Sequence, residues 1–443
     1  MRVNVIITWK KIAGVAVLGL VAALLIGWSG LVSIAASSGH WAATRWFLGW
    51  TMENAVRTQS MFISKPTDVD LGDPILIRRA AAHYATGCAA CHGAPGVPQS
   101  PVVEKMVPPP PRLEEKVTKW GDEELFWIVR NGIKYSGMPA WPAQTREDEV
   151  WAQVAFLRAL PGMSRAEYAD LALGDGLAND EPEAGGEALS ALDGIVDTAL
   201  SDCARCHGRN GLGRGGGDAG DAFPIIAGQP APYLYASLLA FARGHRQSGF
   251  MEPPATRYET EVLAELAHYY AMQPAPSEPD DEGIGASGSA GDGSDDVALA
   301  AAARDTLASS AETGQDEAGT LEGEAGRATA PMATAVGPPA SRDEVLDIGR
   351  RIALEGIASR KVPACRSCHS AAARARNPYY PYLSGQPEWY LSEHLHLWKV
   401  GARGGTSYSP IMAEIAKNMT QEQIKAVSEW YSAQPRRQSI GAQ

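Results

Sequence analysis

The pattern Cys-x-x-Cys-His occurs three times in this 443-residue chain and uses all six of its cysteines. The copies are CAACH at 88–92, CARCH at 203–207 and CRSCH at 365–369. Each cysteine pair has its own histidine and lies more than a hundred residues from the next pair. The sequence therefore predicts three separate local sites, and no cysteine remains to join them by a disulfide.

Paired cysteines serve three kinds of chemistry. A thioredoxin-like redox site needs one pair in a βαβ setting and no histidine behind it. A zinc site needs four ligands, usually two cysteine pairs, or a cysteine pair with a nearby histidine pair. Cys-x-x-Cys-His is the attachment pattern of c-type haem, whose two vinyl groups react with the thiols while the histidine ligates iron. Three full copies favour haem over a redox switch, a zinc site or structural cysteines.

This assignment names the haem-attachment residues and the proximal iron ligands. The thioether links are Cys88, Cys91, Cys203, Cys206, Cys365 and Cys368, and the proximal ligands are His92, His207 and His369.

A methionine follows each histidine at a similar distance. A haem that carries electrons usually has a second protein ligand, and a methionine sulfur raises its potential. The candidates are Met138, Met251 and Met412, which lie 46, 44 and 43 residues after His92, His207 and His369. The near-equal spacing favours ligation over packing in a core, the usual role of a single methionine.

Other residues compete for the last two sixth positions. His245 competes with Met251, and His394 or His396 could ligate in the third unit. These histidines lie on helix-like stretches before a loop, which favours surface or supporting positions. Met419 competes with Met412, but Thr420 and the residues after it are typical of a helix start.

A proline lies between the histidine and the methionine of every unit, two residues before an aliphatic residue. The pairs are Pro111 with Leu113, Pro224 with Ile226, and Pro381 with Leu383. We expect the proline carbonyl to accept the second imidazole N–H, which orients a ligating histidine and fixes its tautomer.

Each unit resembles a class I cytochrome c domain, with an N-terminal helix, the haem motif, a proline turn, a methionine loop and an aromatic C-terminal helix. FPIIAGQPAPYLYASLLAFARGHR aligns with YPYLSGQPEWYLSEHLHLWKVGAR, and LAELAHYYAMQP with IKAVSEWYSAQP. This pair is similar to the two halves of dihaem cytochrome c4. The first unit, with CHGAPG and GIKYSGMPAW, resembles membrane-anchored monohaem cytochromes.

The resemblance covers about residues 75–162, 187–275 and 343–436. It implies an all-α fold of three class I cytochrome c domains, three covalently attached haems with His/Met iron, and electron transfer without substrate turnover. One departure is Ser370, which stands where the other units have glycine after the histidine. We expect it to change the local turn and not the ligand assignment.

The N-terminus predicts a membrane anchor. More than 20 uncharged residues follow Lys11, enough to cross a bilayer. Arg2, Lys10 and Lys11 precede them, so the N-terminus is expected in the cytoplasm and the rest of the chain outside. The alternative is a signal peptide cleaved near Ala35, which the length of the run disfavours. The aromatics of 40–50 predict a segment at the membrane surface.

Residues 276–342 predict a flexible linker. They contain 13 acidic and 3 basic residues, which account for most of the chain's net charge of −12. So polar a segment cannot bury enough apolar surface to fold, although 296–310 could form a transient helix. The linker is either a simple tether or an arm that lets the third domain swing between partners.

The predicted organisation has eight parts. They are the N-terminus with its transmembrane anchor (1–38), an interfacial segment (39–74), domain 1 (75–162), a linker (163–186), domain 2 (187–275), the acidic linker (276–342), domain 3 (343–436) and a tail (437–443).

The favoured function is an electron carrier, not an enzyme, in a bacterial inner membrane with its haem domains on the periplasmic side. Its expected partners are a quinol-oxidising complex and a haem-copper terminal oxidase, bound weakly as is usual for redox partners; no nucleic-acid partner is expected. One alternative is a cytochrome subunit of a periplasmic membrane dehydrogenase of the alcohol or sugar-acid type. Another is catalysis at an open haem, such as peroxide reduction, which requires one iron without a sixth ligand.

Three covalent haems can be counted directly. Because thioether bonds survive denaturation, a chain washed with acid acetone should stay red, and its intact mass should exceed the polypeptide mass by three macrocycles. Fewer than three would contradict the assignment.

Overall fold

The computed structural model describes residues 8–173, 191–215, 217–274, 341–370, 373 and 377–434. The first seven residues, most of both predicted linkers, the possible helix at 296–310 and the tail at 437–443 lie outside this part. Within it the fold is all-α, with no strand and three isolated β-bridges.

The longer helices of the described residues follow one another along the whole chain. They are Trp9–Ser29, Ala42–Ser60, Pro74–His83, Asp122–Asn131, Glu147–Ala159, Arg165–Ala172, Ala191–His207, Ala231–Ala242, Thr260–Ala271, Arg342–Glu355, Glu388–Val400, Ser409–Lys417 and Gln421–Ser432. Shorter turns lie between them: a π-turn at Tyr84–Cys88, α-helical turns at Ala89–His92, Pro101–Glu104, Leu113–Lys116, Glu252–Thr256 and Arg366–His369, and 3₁₀ turns at Ala36–Ser38, Val117–Lys119, Gly217–Ala219 and Ala358–Arg360.

Helix Trp9–Ser29 is the one helix in the described ranges long and apolar enough to span a membrane, and none of its residues is buried. Its 21 residues span about 30 Å, the thickness of a hydrocarbon core. The helix ends before the apolar run does. Gly30 takes a left-handed conformation (φ 69°), which glycine adopts without a steric penalty, and the chain after it leaves the helix.

Helix Ala42–Ser60 carries the predicted interfacial aromatics. Trp46 and Trp50 stack with ring centroids 6.2 Å apart, and both are exposed. At its other end Val56 is buried, and the helix packs against helix Asp122–Asn131. An exposed aromatic end and a packed end are what a segment at a membrane surface requires.

Contacts divide the described residues into two compact units. The smaller comprises residues 8–70, 84–141 and 157–165. Its core includes Tyr84, Leu125 and Phe126. Arg158 links its C-terminal segment to the loop before helix Asp122–Asn131, because its guanidinium donates to Asp122 at 2.6 Å and to the Trp120 carbonyl at 2.7 Å.

The larger unit comprises residues 71–83, 142–156 and the described residues from 166 onward. It contains two helical cores. One joins helices Ala231–Ala242 and Thr260–Ala271 through residues such as Leu234 and Leu266. The other joins helices Arg342–Glu355 and Gln421–Ser432 through residues such as Ile352 and Ile424.

A capping box starts the last helix, as the sequence predicts. The Thr420 hydroxyl accepts from the Gln423 N–H at 3.3 Å, and the Gln423 side chain accepts from the Thr420 N–H at 2.9 Å. This satisfies two backbone donors that a helix start leaves unpaired. Met419, one residue earlier, is 2% exposed and packs in the third unit's core.

Two buried glutamines join the halves of the larger unit. Both belong to the shared Gly-Gln-Pro stretch. The Gln386 side chain accepts from the Ile225 N–H (2.9 Å) and donates to the Ile225 carbonyl (2.7 Å). The Gln229 side chain does the same at Tyr382, with distances of 2.8 and 2.9 Å. The reciprocal pairs give the contact an approximate two-fold symmetry.

Gly349 allows the closest helix contact in the third unit, and this generates a prediction. A Cβ at this position would lie 2.1 Å from the Ala426 carbonyl oxygen and 2.7 Å from the Trp430 Cβ. Gly349→Ala should therefore lower the free energy of unfolding by about 1–3 kcal/mol, the usual cost of overpacking, measured by thermal denaturation of the full chain.

Gly49 is the matched control for this substitution. It also lies in a helix, but a Cβ there would meet nothing within 4 Å. Gly49→Ala should leave stability unchanged or raise it by up to about 1 kcal/mol. Equal effects of the two substitutions would show that the helix crossing at Gly349 is not tightly packed.

Candidate haem-binding sites

All three motifs place their cysteines and histidine on one helical turn. The second lies in the last turn of helix Ala191–His207, while His92 and His369 end the short helices Ala89–His92 and Arg366–His369. On such a turn two thiols three residues apart face the same side as the histidine that follows. This is the arrangement that attachment to one macrocycle requires.

The residue after each histidine sets the direction of the chain. Gly93 and Gly208 have φ of 73° and 71°, which favour glycine. Ser370 has φ of −74° and leaves the turn in an extended conformation. The expected change of turn at Ser370 is confirmed, and its cause is that a serine side chain disfavours the left-handed region.

A proline carbonyl contacts the Nδ1 atom of each motif histidine, as the sequence predicts. The distances are 2.8 Å for His92 to Pro111, 3.2 Å for His207 to Pro224 and 2.9 Å for His369 to Pro381. A carbonyl can only accept, so Nδ1 carries the proton and donates it. Nε2 then keeps the lone pair that an iron ligand needs.

Burial keeps two of these imidazoles neutral. Loss of solvent lowers the pKa of His207 to about 4, although the bond to Pro224 opposes the shift. Loss of solvent also lowers the pKa of His92, again against the bond to Pro111. Neutral imidazole is the form that ligates a metal.

The cysteines have the opposite character from those of a redox switch. Burial raises the pKa of the Cys88, Cys203, Cys206 and Cys365 thiols to about 12, whereas reactive cysteines have lowered pKa values. The six cysteines form no disulfide. No group of three or more histidine, cysteine or acidic residues that could hold a metal occurs in the described ranges. These observations disfavour the redox-switch and zinc alternatives.

Gln99 tightens the first site. Its side-chain amide donates to the Cys91 carbonyl at 2.7 Å and to the Pro110 carbonyl at 2.9 Å. It therefore joins the cysteine turn to the proline loop beside the His92 bond. Sequence patterns could not identify this residue, because one glutamine in a loop has no distinctive spacing.

The candidate methionines are half-buried, and a serine precedes each of them by two or three residues. Met138 donates its N–H to the Ser136 hydroxyl at 3.2 Å, and Met251 donates to the Ser248 hydroxyl at 3.1 Å. Met412 lies in helix Ser409–Lys417, whose first residue is a serine. The serines help to fix the backbone at two of the three methionines.

Gly132 permits the turn that brings the Met138 segment back. It has φ of 63°, and a Cβ would lie 2.5 Å from the Pro139 carbonyl group and 2.6 Å from the Met138 carbonyl oxygen. The Ile133 N–H also donates to the Met138 carbonyl at 3.2 Å. Only glycine fits so close an approach.

The competing residues have different surroundings. His245 is exposed and His396 is half-buried. His394 is 7% exposed, contrary to the surface position that its sequence setting favours; its Nε2 lies 3.4 Å from the Arg246 guanidinium. It is buried because helix Glu388–Val400 packs inside the larger unit.

A buried group of hydrogen-bond donors lies in the larger unit, and sequence reasoning missed it. Arg246 and Arg403, the basic ends of the two aligned stretches, are joined by a backbone bridge. Both are buried, and in the described ranges neither forms an ion pair with a carboxylate. Burial and the neighbouring Arg246 charge lower the pKa of Arg403 to about 10.

The donors in this buried group fit the propionate carboxylates of a haem. Tyr390 contacts Arg246 at 3.1 Å, and the Arg246 Nε, His394 Nδ1 and Trp398 Nε1 atoms are buried without a hydrogen-bond partner. Buried donors left without an acceptor cost free energy, and arginine pairs favourably with carboxylates. With the thiols and neutral imidazoles, the residues present therefore fit haem.

Comparisons with known proteins agree with this chemistry. Residues 76–157 match the family described as cytochrome C oxidase, cbb3-type, subunit III. A protein of Thiomonas intermedia named thiosulfate dehydrogenase electron acceptor is 26% identical over 235 residues, which are 53% of this chain and 79% of that protein. A solved cytochrome c4 from Acidithiobacillus ferrooxidans has 23% sequence identity and a TM-score of 0.33, covering 53% of this chain and 99% of that chain.

A smaller relative matches over most of its own length. Cytochrome c-554(548) of Halomonas halodenitrificans is 34% identical over 77 residues, which are 17% of this chain and 87% of that protein. The cysteine–histidine turns described above are the chemistry that this relationship requires. The chain therefore belongs to the class I c-type cytochromes and is a multi-domain electron-transfer protein with covalently bound c-type haem.

Proposed function

We propose that the chain is a membrane-anchored periplasmic cytochrome that holds three c-type haems and passes electrons between respiratory complexes. The observation that carries this proposal is the repeated histidine geometry. At all three motifs a proline carbonyl lies within 3.2 Å of Nδ1, which leaves Nε2 available to iron.

The haems would supply the one-electron redox chemistry, and the chain would set their ligation. His92 and Met138, His207 and Met251, and His369 and Met412 are the proposed pairs of axial ligands. With both axial positions filled, no iron offers an open site to a substrate. This supports a carrier that is not itself an enzyme, and disfavours peroxide reduction.

Anchoring is supported by the N-terminal part of the chain. Helix Trp9–Ser29 has the length and composition of a single span, and exposed Trp46 and Trp50 follow it. The basic residues Arg2, Lys10 and Lys11 favour a cytoplasmic N-terminus. The haem domains would then lie on the periplasmic side of a bacterial inner membrane, where they can exchange electrons with membrane complexes.

The favoured route runs from a quinol-oxidising complex to a haem-copper terminal oxidase. The match of residues 76–157 to an oxidase subunit family supports the oxidase end of this route. A carrier between two such complexes needs fast, weak docking and an exposed haem edge more than a large interface.

A second candidate function is acceptance of electrons from a periplasmic dehydrogenase, as a dedicated subunit or partner. Two relatives, from Thiomonas intermedia and Stutzerimonas stutzeri, bear the name thiosulfate dehydrogenase electron acceptor. They favour an inorganic sulfur substrate for the donor enzyme over the alcohol or sugar-acid substrates expected from the haem count.

The axial methionines can be tested one at a time. Met138→Ala, Met251→Ala and Met412→Ala should each abolish one of three components of the far-red methionine–iron charge-transfer band. Each should also lower the midpoint potential of one haem, since methionine sulfur favours ferrous iron. The measurement is spectroelectrochemical titration of the full chain in detergent.

Met419→Leu is the control for this series, because Met419 packs in a core and leucine conserves its volume. It should retain all three components. If Met419→Leu abolishes a component and Met412→Ala does not, the ligand of the third haem has been assigned wrongly.

The partners can be identified from native membranes. Affinity purification of the chain in mild detergent should recover a haem-copper oxidase or a quinol-oxidising complex in stoichiometric amount, and quinol should reduce the haems in those membranes. Recovery of a periplasmic dehydrogenase instead, with haem reduction by its substrate and none by quinol, would select the second candidate function.

A further inference from the structure

The loop before Met251 is held in place by a residue far away in the sequence. Within the loop, the Ser248 hydroxyl accepts from the Met251 N–H at 3.1 Å, and the Ser248 carbonyl accepts from the Glu252 N–H at 3.0 Å. Ser248 therefore fixes the backbone on both sides of the Met251 Cα. Whatever fixes Ser248 also fixes Met251.

Glu149 fixes Ser248. Its carboxylate accepts from the Ser248 hydroxyl at 2.5 Å and from the Gly249 N–H at 2.6 Å, across about one hundred residues of sequence. Glu149 is 1% exposed, so water does not compete for these bonds. A carboxylate bonded by two donors is among the stronger hydrogen-bonded arrangements in proteins.

Arg146 holds Glu149 and the same loop. It lies three residues earlier, and its Nη1 is 2.9 Å from the Glu149 carboxylate. The same Nη1 donates to the Gln247 carbonyl at 3.0 Å. Arg146 and Glu149 therefore hold three consecutive residues of the methionine loop, 247–249, as a clamp.

The other two methionine segments have local supports. Ser136, before Met138, donates its hydroxyl to the Ile133 carbonyl at 2.7 Å. Ser409, before Met412, bonds to the Thr406 hydroxyl at 2.7 Å and accepts from the Thr406 N–H at 3.2 Å. The equivalent serine of the second unit instead gives its proton to a carboxylate from residues 142–156.

We propose that Glu149, held by Arg146, is a positioning residue for Met251 and thereby sets the strength of the sixth iron bond in the second haem site. This inference rests on the proposed function, in which Met251 ligates that iron. The methionine–iron bond depends on a loop that presents the sulfur in one place. Without Glu149, the Ser248 hydroxyl and the Gly249 N–H lose their acceptor and the loop gains freedom.

The test measures how easily an added ligand replaces Met251. Imidazole is titrated into the ferric full chain while the three components of the methionine–iron band are followed, and Met251→Ala identifies the component that belongs to the second site. In Glu149→Ala this component should be lost at about 10- to 100-fold lower imidazole concentration, the usual effect of losing a partner outside the metal's own ligands. The midpoint potential of the same haem should fall.

Two further variants separate positioning from general damage. Glu149→Gln keeps an acceptor for the Gly249 N–H and should recover most of the wild-type imidazole affinity. Ser248→Ala removes the hydroxyl that joins Glu149 to the Met251 backbone, and should shift the affinity in the same direction as Glu149→Ala. It does so without removing a charge.

Asp148→Ala is the matched control. Asp148 neighbours Glu149 and binds Arg79 at 3.0 Å and Arg146 at 2.8 Å, so its loss disturbs the same buried ion pairs. The control should leave the imidazole affinity of the second site unchanged.

Three results would overturn the inference. Equal shifts in Asp148→Ala and Glu149→Ala would assign the effect to the ion pairs as a whole, and unchanged affinity in both Glu149→Ala and Ser248→Ala would show that Glu149 does not position Met251. If Met251→Ala leaves all three band components in place, the proposed ligation itself is wrong and the inference falls with it.

Discussion

The hydrogen bond from a histidine Nδ1 to a proline carbonyl is the interaction on which each candidate site depends. It joins residues 19, 17 and 12 positions apart in the three units. It fixes the tautomer, directs Nε2 away from the protein and closes the loop that begins at the cysteine turn. The buried thiols, the neutral imidazoles and the glycine turns have a shared purpose only if that ring is held in place.

The sequence was sufficient for features with a local period or cap. The haem motifs, the proline partners of the histidines and the helix start at Thr420 each depend on residues within about 20 positions, and the structure contains the turn, the bonds and the cap expected. The end of the first helix was missed by several residues. The apolar run continues past Gly30, but the left-handed glycine ends the helix there.

Contacts between distant segments could not be predicted, because they have no local signature. Gln229 and Gln386 stand out as a repeated tripeptide, yet their reciprocal bonds appear only when the two halves face each other. The burial of His394 has the same cause. Arg246 and Arg403 show the energetic side of this limit: a buried guanidinium without an anion costs several kcal/mol, so their repeated position makes sense only beside carboxylates that the polypeptide itself does not supply.

Joining similar electron-carrying units in one chain creates a difficulty, since equal ligands give similar potentials and a directional route needs unequal ones. The protein can change a potential through the ligand, its hydrogen bonds and its burial. The three units repeat the histidine bond closely but differ at the methionine side. Two methionine segments are held by their own serine turns, whereas the segment of Met251 is held by Arg146 and Glu149. A support that comes from another part of the chain can be altered without disturbing the unit's own fold, and this gives the second site a means of differing from its neighbours.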